Sequence, residues 1–201
     1  RKLIESLGAQ IEEVDSNSWR ITTRELTASH LDPELCRRIR ASILIAGPVL
    51  ARAGGLRLPP PGGDVIGRRR LDTHILALRA LGAKVTYDRV FDIEAAQLHG
   101  ADILLDEASV TATENVVMAA VLAKGVTQIR NAASEPHVQE LCQFLNLLGA
   151  KIDGIGSNTL RITGVDGLHG GEYTIGPDLL EVVSYIGAAV VTHGNIRIRN
   201  A

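Results

Sequence analysis

With 201 residues, of which 45% are apolar and 22% charged, the chain is long enough to bury a core and too apolar to be disordered. A net charge of −2 and an aromatic content of 3% exclude a nucleic-acid binder that works through bulk positive charge and stacked rings. No apolar run reaches transmembrane length and no signal-peptide pattern is present, so a cytoplasmic protein that neither inserts into a membrane nor is exported is expected.

In chain order, Arg1-Lys2-Leu3-Ile4 already lies inside a helical pattern without a cap, as a piece of a longer protein would begin. That helix stops at Leu7-Gly8-Ala9, where glycine suits a left-handed helix terminus. A strand at 19–22 follows, and Asp32 then stands as an N-cap before a strongly apolar helix predicted over 34–53. Residues 54–59 read as a short strand, 71–81 as a helix ending at Leu81-Gly82-Ala83, and 90–93 as a strand. Another strand runs from 101 into Asp106, which is placed as the cap of an apolar helix over 112–122. A strand at 128–130, a helix over 138–148 ending at Leu148-Gly149-Ala150, and a strand at 159–163 come next. Asp178, after Gly176-Pro177, opens a last apolar helix over 179–192; both capping and a ligand role are open to it. Cys36 and Cys142 are far apart and unpatterned, which predicts buried free thiols and no metal site.

This order repeats. The glycines of the three Leu-Gly-Ala sequences are 74 and 67 residues apart, and Asp32, Asp106 and Asp178 are 74 and 72 apart. Lys124-Gly125-Val126-Thr127-Gln128-Ile129-Arg130-Asn131-Ala132 matches His193-Gly194-Asn195-Ile196-Arg197-Ile198-Arg199-Asn200-Ala201. Three markers on one period of about 70 predict an α+β domain of three βαβ-containing units, about 1–60, 61–132 and 133–201. Helices this apolar belong inside, buried on most sides, with the sheets outside.

One stretch breaks the pattern of core and turn. Pro59-Pro60-Pro61-Gly62-Gly63-Asp64 ends a strand with a stiff run, frees the backbone at two glycines and presents a carboxylate. Arg68-Arg69-Arg70 then precede the helix that begins with Leu71, Asp72 and Thr73. A glycine-rich turn with arginines at a helix N-terminus suits an anionic, phosphorylated ligand, the alternative being a solvated basic edge. His74, one helical turn from Arg70, is placed to face the same site.

The stretches Ile39-Arg40-Ala41-Ser42-Ile43-Leu44-Ile45-Ala46-Gly47-Pro48-Val49-Leu50-Ala51-Arg52 and Pro61-Gly62-Gly63-Asp64-Val65-Ile66-Gly67 resemble the enolpyruvyl transferases. So do Asp106-Glu107-Ala108-Ser109-Val110, Asn131-Ala132-Ala133-Ser134-Glu135-Pro136 and Pro177-Asp178, and the resemblance covers essentially the whole chain. It implies an inside-out α/β barrel domain built as a threefold repeat, one of two in a monomeric enzyme about twice as long. The implied substrates are phosphoenolpyruvate and, in the sugar-nucleotide branch, UDP-N-acetylglucosamine, with no cofactor, metal, nucleic acid or membrane involved. Asp64 falls where the family has a cysteine regarded as proton donor to the methylene carbon of phosphoenolpyruvate. Arg69 falls on the ligand of the phosphoenolpyruvate phosphate. Arg70, Leu71, Asp72 and Thr73, with Glu107, Ala108, Ser109 and Val110, fall on segments contacting the uridine nucleotide. Arg40 falls at the sugar-nucleotide site, with Asp178 near it.

Several positions depart from the family pattern. With Asp64 in place of a thiol, an aspartate acid works only if the bound anion keeps it protonated, and epoxides that alkylate a thiol, such as fosfomycin, lose their target. Glu107 replaces a usual lysine, Thr111 a usual glycine, and Leu179 a usual arginine. They leave room for a relative acting on another hydroxyl, such as that of 3-phosphoshikimate. An RNA-binding repeat barrel, the third reading, requires a basic, aromatic surface that this composition lacks.

Overall fold

The computed structural model describes residues 1–64 and 70–201. Arg69, the expected phosphate ligand, lies outside the described residues, as do Val65 to Arg68.

The described residues form three sheets packed with α-helices. β1 (Gln10–Asp15) and β2 (Ser18–Thr22) form an antiparallel hairpin. β3 (Gly55–Leu58), β5 (Val90–Glu94) and β4 (Lys84–Asp88) form an antiparallel sheet in that order, with Leu56 opposite Ile93 and Val85 opposite Ile93 on its far side. The third sheet orders β6 (Asp102–Leu104), β7 (Val126–Arg130), β9 (Thr159–Thr163) and β8 (Lys151–Asp153). Only β6 and β7 run parallel within these sheets, because a helix crosses over between them.

That helix, α5 (Val110–Ala120), is the centre of the molecule, burying Ala112, Thr113, Asn115, Val116, Val117, Ala119 and Ala120. The pattern covers most of its circumference, as an apolar helix requires. α3 (Ala46–Ala53) packs beside it through Ala46, Gly47, Val49 and Leu50, and α4 (Asp72–Ala80) through Thr73, His74, Ala77 and Leu78. α6 (Pro136–Leu147) closes the interior with Val138, Cys142 and Leu145. The strands alternate, with Ile93, Ile129, Leu160 and Ile162 inward and charged neighbours outward. Cys36 and Cys142 are free and fully buried, and burial pushes both thiols up, Cys142 to about 11.

All three Leu-Gly-Ala sequences terminate helices in the same way. Gly8, Gly82 and Gly149 have φ of 104°, 96° and 102°, and the following alanine N–H reaches back to the carbonyl of Ile4, Leu78 or Leu145. The first of these ends the four-residue α1 (Lys2–Glu5).

Three expectations fail. The helix predicted over 34–53 is three pieces: α2 (Pro33–Arg38), a 3-10 helix (Arg40–Ile45), and α3. Ile39 is extended at φ −142°, and Pro48 has no N–H for the carbonyl of Leu44, so one continuous α-helix cannot run through. Asp106 does not cap α5; Ser109 does, accepting from Ala112 N, while the Asp106 carboxylate turns toward α4. The last apolar helix, α7 (Leu179–Thr192), buries none of its residues, leaving Leu180 74% and Val191 78% exposed. A helix apolar on most sides needs neighbours on most sides, and none of the three sheets takes residues 195–201 as the strand that would bring them. Asp32 and Asp178 do cap their helices, accepting from Leu35 N and from Leu180 and Glu181 N.

Candidate functional site

After β3, Gly62 and Gly63 lie along the C-terminal end of α2. Gly62 N–H donates to Cys36 O, which also accepts from Ile39 N–H, and Gly63 N–H donates to Arg37 O, so the last carbonyls of α2 are met by the loop. A Cβ at Gly62 would collide with the Arg37 carbonyl, and Gly63 takes φ 89° against the Arg40 backbone. The glycine pair is therefore what lets Asp64 emerge, exposed, beside Arg40.

Arg40 opens the 3-10 helix, and its Nη2 donates to the main-chain carbonyl of Arg70 at 3.0 Å. This bond joins the two arginine-bearing segments. Arg70 Nε donates to Asp72 Oδ2 at 2.7 Å, and Arg70 Nη2 lies 3.7 Å from Asp106 Oδ2. The Asp72 carboxyl is held below its usual range by the Arg70 hydrogen bond, and the Arg70 guanidinium is held further toward its charged form by Asp72, Asp106 and Glu107. Thr73 Oγ1 donates to Asp106 Oδ1 at 2.7 Å, fixing the first turn of α4 to the chain before α5. There Ser109 N–H donates to Glu107 O, and Ser109 caps the helix that Val110 begins.

Of the predicted residues, the structure brings together Arg40, Arg70, Asp72, Thr73, Glu107 and Ser109, while Asp64 follows Gly63, which lies against the Arg40 backbone. Leu71 is half-buried against the core and Ala108 is exposed at the tip of the turn. Asp178 lies elsewhere: it lines a pocket of about 340 Å³ with Pro136, His137, Glu140 and Ile175, where Glu140 Oε1 accepts from Gly176 N. Among the described residues, Arg70 faces the carboxylates of Asp72, Asp106 and Glu107, and Arg40 holds the Arg70 main-chain carbonyl. The arrangement offers two guanidinium donors to an anion and one exposed carboxyl group as acid or base.

His74 does not face outward. It is 2% exposed, with Nε2 3.3 Å from Thr111 Oγ1 and Nδ1 3.2 Å from Asn115 Nδ2. Burial, with the Arg40 charge second, lowers its pKa to about 4, so the ring is neutral. Sequence reasoning missed Asn115 and the role of Asp106. An amide in the middle of an otherwise apolar helix was the available signal for Asn115.

The model for "EPSP synthase (3-phosphoshikimate 1-carboxyvinyltransferase)" matches residues 1–201. The chain is 59% identical over 200 residues to a UDP-N-acetylglucosamine 1-carboxyvinyltransferase of Bradyrhizobium diazoefficiens, covering 100% of this chain and 46% of that protein. It is 57% identical over 197 residues to the protein of the same name from Treponema denticola, covering 98% of this chain and 46% of the relative. Among solved structures it resembles the enolpyruvyl transferase NikO from Streptomyces tendae, with TM-score 0.75 and 24% identity over 94% of this chain and 45% of that one. An EPSP synthase from Acinetobacter baumannii gives TM-score 0.67 at 20% identity, over 94% and 44%. These structures share the mixed α/β fold, and the chain spans about half the length of the curated relatives it matches.

Proposed function

The chain belongs to the EPSP synthase (3-phosphoshikimate 1-carboxyvinyltransferase) family of enolpyruvyl transferases, and from that premise we propose that the whole protein transfers enolpyruvyl from phosphoenolpyruvate to the 3'-hydroxyl of UDP-N-acetylglucosamine. The observation that carries the acceptor is the 57–59% identity, over nearly every residue of the chain, to relatives bearing that activity in their names. The step would be the first of peptidoglycan precursor synthesis, taking place in the cytoplasm of a bacterium. In this reading the three units form one inside-out barrel domain of a monomer, and a second domain closes the site from the other side.

The acceptor hydroxyl gives up its proton to a base as its oxygen adds to C2 of phosphoenolpyruvate, while C3 gains a proton from the acid. The resulting ketal loses a C3 proton and expels inorganic phosphate, leaving the enol ether. Asp64 is the donor to C3, reaching over a loop whose glycines permit it to close. Arg69 holds the phosphate. Arg40 and Arg70 supply the planar forks that suit a diphosphate, with Leu71, Asp72, Thr73, Glu107, Ala108, Ser109 and Val110 along the uridine nucleotide. Carboxylates already paired with Arg70 hold that fork in one orientation before the ligand arrives.

A second reading has one observation in its favour. Glu107 sets a carboxylate close enough to Arg70 to act on its charge, in the segment meant for a diphosphate, which favours an acceptor other than a nucleotide sugar. Incubating the whole protein with phosphoenolpyruvate and either UDP-N-acetylglucosamine or 3-phosphoshikimate separates the two. Phosphate release and a mass increase of the acceptor are expected with the nucleotide sugar alone. Turnover confined to the shikimate ester sinks the first reading.

A further inference from the structure

Asn115 is fully buried in α5, yet every polar atom of its amide is used. Oδ1 accepts from Gly47 N–H at 2.6 Å, while Nδ2 donates to Ile43 O at 3.1 Å and to His74 Nδ1 at 3.2 Å. Because a main-chain N–H can only donate, Gly47 fixes which way the amide faces. Asn115 therefore donates to His74 Nδ1. The ring proton is left on Nε2, aimed at Thr111 Oγ1 at 3.3 Å.

The partners of this node lie next to the segments of the site. Ile43 is in the same 3-10 helix as Arg40, His74 directly follows Thr73, and Thr111 directly follows Val110. Side-chain bonds tie all three segments to a buried junction whose polar atoms are already paired with one another. We propose that the Asn115–His74 pair is a positioning device that sets Arg40, the turn 70–73 and the turn 107–110 at the spacing an acceptor nucleotide requires. This rests on the reading that those segments hold the acceptor. A buried polar network of this kind fixes one arrangement, because every alternative leaves a donor or acceptor unmet.

The test is calorimetric titration of UDP-N-acetylglucosamine into the whole protein, with thermal melting recorded alongside. Three variants are compared, His74→Leu, His74→Asn and Arg70→Ala. Asparagine places an acceptor where Nδ1 stands and keeps the bond from Asn115, whereas leucine removes it. His74→Leu is expected to bind about tenfold or more weakly, well below its melting temperature, since displacements of about 1 Å cost binding and catalysis on that scale. His74→Asn is expected to recover most of that loss. If Arg70→Ala weakens binding but His74→Leu melts lower and binds as tightly as the wild type, the pair is merely structural and the proposal falls. If the wild type binds no UDP-N-acetylglucosamine, or Arg70→Ala does not weaken binding, the site reading itself is overturned. Should His74→Leu not fold, Thr111→Val decides, because it removes only a hydroxyl from a half-buried side chain. Weakened binding then supports positioning, and unchanged binding overturns it.

Discussion

Arg40 reaches from the start of a 3-10 helix to the main-chain carbonyl of Arg70, thirty residues later, at 3.0 Å. The bond leaves the Arg70 side chain free to pair with Asp72 and Asp106, so one arginine positions the backbone from which the second projects. Replacing Arg40 by alanine removes a cation and releases the turn before α4. UDP-N-acetylglucosamine should then bind about tenfold or more weakly, and the lost bond to the Arg70 carbonyl contributes about 1 kcal/mol to the accompanying change in stability. Titration calorimetry and a denaturant melt of the whole protein read the two quantities separately. A large stability loss with unchanged affinity would place Arg40 in the scaffold alone.

Gly62 makes a different prediction, because its constraint is steric. A methyl group there meets the Arg37 carbonyl, and the loop must lift off α2, losing the bonds to Cys36 O and Arg37 O. Gly62→Ala should destabilise by about 1–3 kcal/mol, as overpacking does. Gly170→Ala, where nothing stands within 4 Å of the new atom, is the control and should melt with the wild type. Equal melting temperatures for the two variants would show that the loop is not held against α2 in solution.

What the sequence made legible follows from how local each signal is. Leu-Gly-Ala predicts a helix terminus because glycine alone relieves the left-handed turn, and all three sites obey. Asp32 reads as a cap because its partner, Leu35 N, is three residues away. Asp106 resembles Asp32 in sequence, but Ser109 stands one turn nearer to α5 and takes the cap, releasing Asp106 to Thr73 and Arg70. That competition is decided by tertiary position, which no period reveals. Likewise the apolar run 34–53 announces burial but not the break at Ile39, and α7 announces a need for neighbours but not where they are. Arg70 was legible in the arginine triplet before α4, but Arg40 was identifiable only through the family resemblance, since its meeting with Arg70 depends on a contact across thirty residues.

His74 gives stability a specific pH dependence. The folded ring, facing Arg40, Asn115 and Thr111, has its pKa lowered from 6.5 to about 4. Above pH 6.5 the ring is neutral in both states, and the stability it contributes is fully present. As pH falls from 6.5 toward 4, the unfolded chain takes up a proton that the folded chain refuses, and about 3 kcal/mol is lost. Urea unfolding of the wild type and His74→Leu at pH 7 and pH 4.5 isolates this component. The wild type should lose more stability than the variant over that interval. Parallel losses would mean that the folded ring accepts its proton at an ordinary pH.

Asp64 carries the sharpest prediction for the chemistry. The proposed step needs a transferable proton on the group above C3 of phosphoenolpyruvate. Asp64→Asn keeps the shape but has no acidic proton, and should lower turnover by about 10²–10⁴ while leaving UDP-N-acetylglucosamine affinity nearly unchanged. Asp64→Cys should retain activity, because a thiol also carries a transferable proton. It should also become a target for fosfomycin, to which the wild-type carboxyl presents no comparable nucleophile. Turnover with and without the epoxide tests both halves on the whole protein. Rapid covalent inactivation of the wild type would refute the resistance, and near wild-type turnover of Asp64→Asn would refute the proton transfer. Affinity separates this role from positioning: a residue that only shapes the loop above Arg40 should weaken binding when changed, whereas a proton donor should slow the reaction of a ligand that still binds.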